Sequence, residues 1–274
     1  MKRYLSIVIA LVPMLPALSA PNSGSFSLSS RFNIPEGTSA VVAMQGQSAI
    51  AIIGPIDSNV LATYRSMQAK SPATVLYIDS GGGDVSAAIS LAFDLRKTGT
   101  RLVVAGKCFS ACANYIFSGA LHKDVLPGSL IGIHSSQLQY YTKTGVISVP
   151  QRNKQKIETL DTDGVLKKRI LEKSKLENNF FSEIGLSKKY FTIFEDYQLR
   201  LEDSNNKNYS GCRTIDMWIL SKNELQDMAV KGMNAIWMPT TTQEVAVISK
   251  NLGLNPANVF FGSEQQLSSA CKKS

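Results

Sequence analysis

Ser110, His134 and Asp216 are the residues of this 274-residue chain whose types and order suit acyl-transfer chemistry. A serine hydroxyl is a weak nucleophile until a base takes its proton, and a neutral imidazole suits that task near neutral pH. His134 is one of two histidines, with His122. Catalysis also needs an orienting acid and donors for the oxyanion that develops on the attacked carbonyl. Gly81, Gly82 and Gly83 make a turn whose N–H groups no side chain obstructs. Such a turn can also cradle a phosphate, but no G-x-G-x-x-G spacing is present and no Walker-type lysine and serine follow. Taken singly, each feature has a plainer reading. Ser110 precedes small and apolar residues, as a helix cap does. A lone histidine is usually a surface or core-edge residue, and three glycines can be a tight turn.

The elements that must position these residues alternate along the chain. Residues 49–53 are an apolar run ended by Gly54 and Pro55, which predicts a buried strand. Asn59 is a candidate cap for a helix with Val60, Tyr64 and Met67 on one side. A second buried strand is predicted over 74–78, and Val85, Ala88, Ile89, Ala92 and Leu95 then recur at helical spacing. Strands over 101–105 and 130–133 follow, separated by an apolar segment at 111–117. This rhythm predicts an α/β fold with a mainly parallel sheet covered by helices. Ligands in such folds gather at the carboxyl ends of strands, and the glycine turn, Ser110 and His134 each fall just after one. From 142 to 175 the chain is polar and charged, with Ile157, Leu160, Leu166, Ile170 and Leu171 as candidate helix contacts. Ser221 and Glu224 predict a capped helix over 221–230, and another helix is predicted over 243–251.

Residues 1–19 read as a secretory signal: Lys2 and Arg3, an apolar run over 5–15, then Ala17, Ser19 and Ala20. Cleavage is expected after Ser19, because Pro21 disfavours a cut after Ala20. Residues 20–45 are expected to be a flexible linker, 46–236 one domain, and 237–274 a C-terminal extension. The only membrane contact expected is through the signal before cleavage, since no later run approaches a span. The formal charge is +8, and its lysines between 154 and 175 are interrupted by Glu158, Asp161, Asp163 and Glu172. That pattern fits a solvated helix face and argues against nucleic acid as a partner. Cys108, Cys112, Cys212 and Cys271 are disulfide candidates in an exported chain, periplasmic or secreted. Their three complete pairings stay open. No recurring paired spacing supports a metal, and no cofactor is expected.

In order and spacing, four stretches resemble the Clp protease peptidase family: 49–57 (AIAIIGPID), 76–85 (LYIDSGGGDV), 106–113 (GKCFSACA) and 129–134 (SLIGIH). The likeness spans roughly 48–136, with a fainter match over 216–230, and is closer still to exported relatives whose cysteines flank the serine. It implies the Clp peptidase/crotonase-like fold of repeated β-β-α units. It also implies Ser110 as nucleophile, His134 as general base, and the N–H groups of Gly83 and Ala111 as oxyanion donors. The family places an aspartate before an aromatic–apolar–serine helix start. Asp216 in 216–221 (DMWILS) matches it, one residue further from Ser221 than the family spacing, with Asp203 and Asp196 as alternatives. The family's proline before its paired glycines is Gly81 here. Family members assemble through a helix in the middle region, which differs here, so a homo-oligomer is carried as an expectation without the stacked ring.

The resemblance thus implies an exported, ATP-independent serine peptidase, a hydrolase acting on peptides or unfolded chains. The alternative is a non-catalytic relative that binds peptides or a protein. A crotonase-like acyl-thioester enzyme is disfavoured, because coenzyme A is not expected outside the cytoplasm. A bond between Cys108 and Cys112, or from one of them to Cys212, would brace the nucleophile turn.

Overall fold

The apolar run Ala49–Ile53 forms strand β2 in the computed structural model of the chain, buried at every position. Residues 27–44, 46–134, 137–142, 145–150, 158–159, 164–204 and 209–273 are described; the signal segment expected at 1–19 lies outside them. Strands β1 (Ala40–Met44), β3 (Val75–Ser80) and β4 (Arg101–Phe109) flank β2 in the order β1-β2-β3-β4. β5 (Lys123–Val125) and β6 (Leu130–Ile133) both pair with β4. β10 (Met217–Ile219) and β12 (Val259–Phe261) extend the sheet beyond β6, and β11 (Met233–Ile236) extends it beyond β5. This mixed sheet is parallel except at the joins β1–β2 and β6–β10. Two small antiparallel pairs stand apart from it: β7 (Gln137–Thr142) with β8 (Gly145–Pro150), and β9 (Tyr209–Ser210) with β13 (Lys272–Lys273).

Helices cover the sheet as the α/β rhythm predicts. Helix α1 (Leu28–Arg31) precedes β1, and α2 (Ser58–Lys70) and α3 (Val85–Thr98) bury Val60, Tyr64, Ala88 and Leu95. The cap of α2 is Asp57, whose carboxylate accepts from Val60 N–H at 2.9 Å, and Asn59 lies inside the helix. Helices α4 (Val165–Ile184) and α5 (Lys189–Ser204) bury Phe180, Phe181, Phe191, Phe194 and Tyr197 in the core, with Phe180 and Phe181 against Tyr115 and with Tyr190 and Phe194 against Trp218 of β10. The short helix α6 (Lys222–Asp227) carries the expected Ser221/Glu224 capping box, and α7 (Thr242–Asn251) a second one from Thr241 and Glu244. A last helix, α8 (Glu264–Ser269), buries Leu267. Among the described residues no helix is long and apolar enough to cross a membrane.

The described residues of both flanking regions pack on the body of the protein. Within the expected linker, Leu28 of α1 is buried and β1 is a sheet strand. The buried Asp79 carboxylate draws this segment in, accepting from Ser27 Oγ at 2.7 Å and from Ser29 N–H and Oγ at 2.9 Å. Its other oxygen accepts from Lys107 N–H at 3.0 Å. Within the expected extension, β12 pairs in parallel with β10, and the Cys212–Cys271 disulfide closes the end of the chain onto the core.

Lys123 in β5 is fully buried, donates to Ser118 O at 3.3 Å and lies 5.2 Å from the Phe117 ring centroid. Burial, with Arg96 nearby, pushes its pKa from 10.5 down to about 7. Between those values the unfolded chain binds a proton that the folded chain does not, so stability rises with pH across that window and falls away toward pH 7. Lys123→Met is expected to flatten this slope. Urea unfolding at about pH 7 and about pH 9.5 should show a gain of roughly 3 kcal/mol in the parent and little in the variant.

Candidate active site

Strand β4 divides at Gly106. Its first half pairs with β5 (Leu102 opposite Lys123), and its second half with β6 (Lys107 opposite Leu130). The register with β3 slips by two residues here, from Ile78–Val104 to Ser80–Cys108. Gly106 is at φ +131°, and a β-carbon there would stand 2.5 Å from the Asp79 carboxyl carbon, so the slip needs a glycine. Ser129 Oγ accepts from Gly106 N–H at 2.9 Å and pins the bend.

The bend sends Phe109 alongside Gly132 in parallel register, so Ser110 and His134 emerge from neighbouring strand ends. Ser110 N–H donates to Gly132 O at 3.1 Å. Ser110 itself is in the left-handed region at φ +56°. Serine adopts that conformation at a cost of about 1–3 kcal/mol, and such strain concentrates at functional turns. A π-helix, Cys112–Phe117, follows at once and buries every one of its residues. The turn presents Ser110 Oγ to His134 Nε2 at 2.6 Å, with both residues partly open to solvent. This is hydrogen-bonding distance for a nucleophile and its base.

The glycine turn lies against the same serine. A β-carbon on Gly82 would stand 2.6 Å from Ser110 Cβ and 2.8 Å from Ala111 N, so only glycine allows this approach. Gly83 is at φ +147° and an isolated bridge joins it to Ile56, whose carbonyl a side chain would strike. Among the described residues neither the Gly83 N–H nor the Ala111 N–H donates a hydrogen bond, and both remain available as donors. Asp84 follows as the cap of α3, accepting from Ala87 N–H at 2.8 Å.

No protein-family model matches this chain, and no curated protein matches it.

The remaining site candidates fall in different places. A disulfide joins Cys108 to Cys112 across the serine turn, and a second joins Cys212 to Cys271. Cys212 therefore makes no tie to the serine turn. Asp216 enters β10 at the end where His134 leaves β6, since Trp218 pairs antiparallel with Ile133. Its exposed carboxylate accepts from Asn258 Nδ2 at 2.8 Å, and its N–H donates to Asn258 O at 2.8 Å. Among the described residues no hydrogen bond joins it to His134, and the turn before β12 holds its carboxylate. Asp196 lies on α5, and the side chain of Asp203 is outside the described residues.

Two further side chains adjoin the site without having been singled out from the sequence. Tyr115 OH donates to the buried Glu177 carboxylate, tying the π-helix to α4. Asn114 Nδ2 donates to the main-chain carbonyl of His134 at 3.1 Å. Its one sequence signal is position: a polar amide four residues after Ser110 in the otherwise small and aromatic-aliphatic run 111–117 (ACANYIF).

Proposed function

We propose that this chain is an exported serine peptidase of the Clp peptidase/crotonase-like fold, cutting short or unfolded peptides without ATP. The observation that carries the reading is the 2.6 Å contact between His134 Nε2 and a Ser110 held at positive φ between a strand and a helix. With its ring proton on Nδ1, His134 accepts the Ser110 proton at Nε2 as Oγ bonds to the peptide carbonyl carbon. The carbonyl oxygen takes the negative charge and is met by the Gly83 and Ala111 N–H groups. His134 then returns the proton to the leaving amine as the C–N bond breaks, leaving an acyl-Ser110. Water, deprotonated by His134, releases the acid and restores the hydroxyl. The two disulfides suit the oxidising compartment, periplasmic or extracellular, that an export signal implies.

Pre-steady-state hydrolysis of a p-nitrophenyl ester tests this reading. It predicts release that Ser110→Ala removes, with a burst of about one nitrophenol per protein where the acyl-enzyme accumulates. Linear release indistinguishable from that of Ser110→Ala would refute it.

The binding-protein alternative draws on one observation, the retention of the Asp216 carboxylate by Asn258. If the Ser110–His134 pair works without that acid, Asp216→Asn should change the ester burst rate by less than about tenfold. A loss near 10⁴-fold, the scale of a triad acid, would mean that Asp216 swings to His134 during turnover.

A further inference from the structure

Asn114 presents a stability problem. It is 3 % exposed, and its Oδ1 has no hydrogen-bond partner among the described residues. An orphaned buried carbonyl costs on the order of 1–3 kcal/mol, whereas the single bond from Nδ2 returns about 1 kcal/mol. Leucine has the same branched skeleton with bulkier methyl groups, and would remove both terms while adding volume to the site. Stability alone therefore does not explain an asparagine here.

Its bonds run between the two halves of the candidate site. The Asn114 N–H donates to Ser110 O at 2.8 Å, so the side chain springs from the first turn after the serine. Nδ2 reaches across to the carbonyl of His134, the residue that has just left β6. The amide orientation is set by that carbonyl, since only the NH₂ end can meet it. The Ser110 turn and the His134 backbone are thus clasped directly, at the point where β6 no longer holds the histidine by sheet pairing. π-Helical turns of this kind recur where backbone geometry serves a site.

We propose that Asn114 is a positioning residue of the Ser110–His134 pair, its amide holding the His134 main chain so that Nε2 stays on Ser110 Oγ. The role presupposes the peptidase reading, but the clasp itself can be tested without it. Asn114→Leu removes the donor and the orphaned carbonyl together, and its melt reports how far the added bulk offsets that relief. In the same variant the imidazole carbon resonances of His134, followed through a pH titration, should move toward those of Ser110→Ala. The ester burst should slow by about tenfold to a hundredfold, the scale of a small misplacement of a reacting group. Asn114→Ala, which leaves space instead of adding bulk, should give the same His134 signature if leucine proves too large. Parent-like His134 resonances in both variants would overturn the inference. So would a slower burst that merely tracks lost stability. A parent protein that releases nitrophenol no faster than Ser110→Ala would instead refute the peptidase reading, and the resonances would still decide the clasp.

Discussion

His134→Ala is expected to lower the rate of Ser110 acylation by about 10²–10⁴-fold, the usual contribution of a general base. The imidazole touches the serine at 2.6 Å, and the strand that delivers it is held through the backbone of Leu130–Ile133. The histidine is only partly buried, so its removal leaves β6 and the core around Ile131 and Ile133 in place. Single-turnover ester kinetics read the rate, and a thermal melt reads the fold. A loss of rate with an unchanged melt is the predicted pair of results. Retention of the parent rate would mean that Ser110 is activated by some other group or is not the nucleophile.

The two disulfides should separate stability from activity. In the chain-entropy account a crosslink stabilises according to the loop it closes. Cys108–Cys112 spans a sequence separation of 4 and Cys212–Cys271 one of 59. Those separations correspond to about 2 and about 4 kcal/mol. The small loop, however, encloses Ser110, whose positive φ must be maintained against its intrinsic preference. Cys108→Ala/Cys112→Ala should therefore lose the smaller amount of stability and slow acylation by about tenfold or more. Cys212→Ala/Cys271→Ala should lose the larger amount and keep the parent rate within about twofold. Urea unfolding and the ester burst measure the two quantities. The reverse ranking in activity would show that the small loop does not maintain the serine turn.

The parts of this arrangement legible in the sequence are those set by short-range pattern. Residues 130–133 form a strand as predicted, and the capping pair Ser221 and Glu224 starts a helix because cap chemistry is local. The proximity of Ser110 and His134 was foreseeable because both follow strands whose parallel pairing aligns their ends. What pattern does not carry is long-range capture. Asp79 reaches back 52 residues to Ser27 and converts an expected linker into packed structure. Asn258 reaches 42 residues to Asp216 and takes the carboxylate expected at His134. Strand β12 has the same origin: Val259–Phe261 is too short to stand out, and it becomes a strand because β10 offers it an edge. Asn114 was hidden for a related reason, since its partner is a main-chain carbonyl 20 residues away.

Labelling of the oxidised protein with a fluorophosphonate probe addresses the central claim most directly. The phosphonate phosphorus accepts only an activated serine, so the account predicts one adduct, mapped to Ser110, that Ser110→Ala abolishes and His134→Ala suppresses. A folded, fully disulfide-bonded protein that takes up no label would contradict the claim that this serine is a nucleophile.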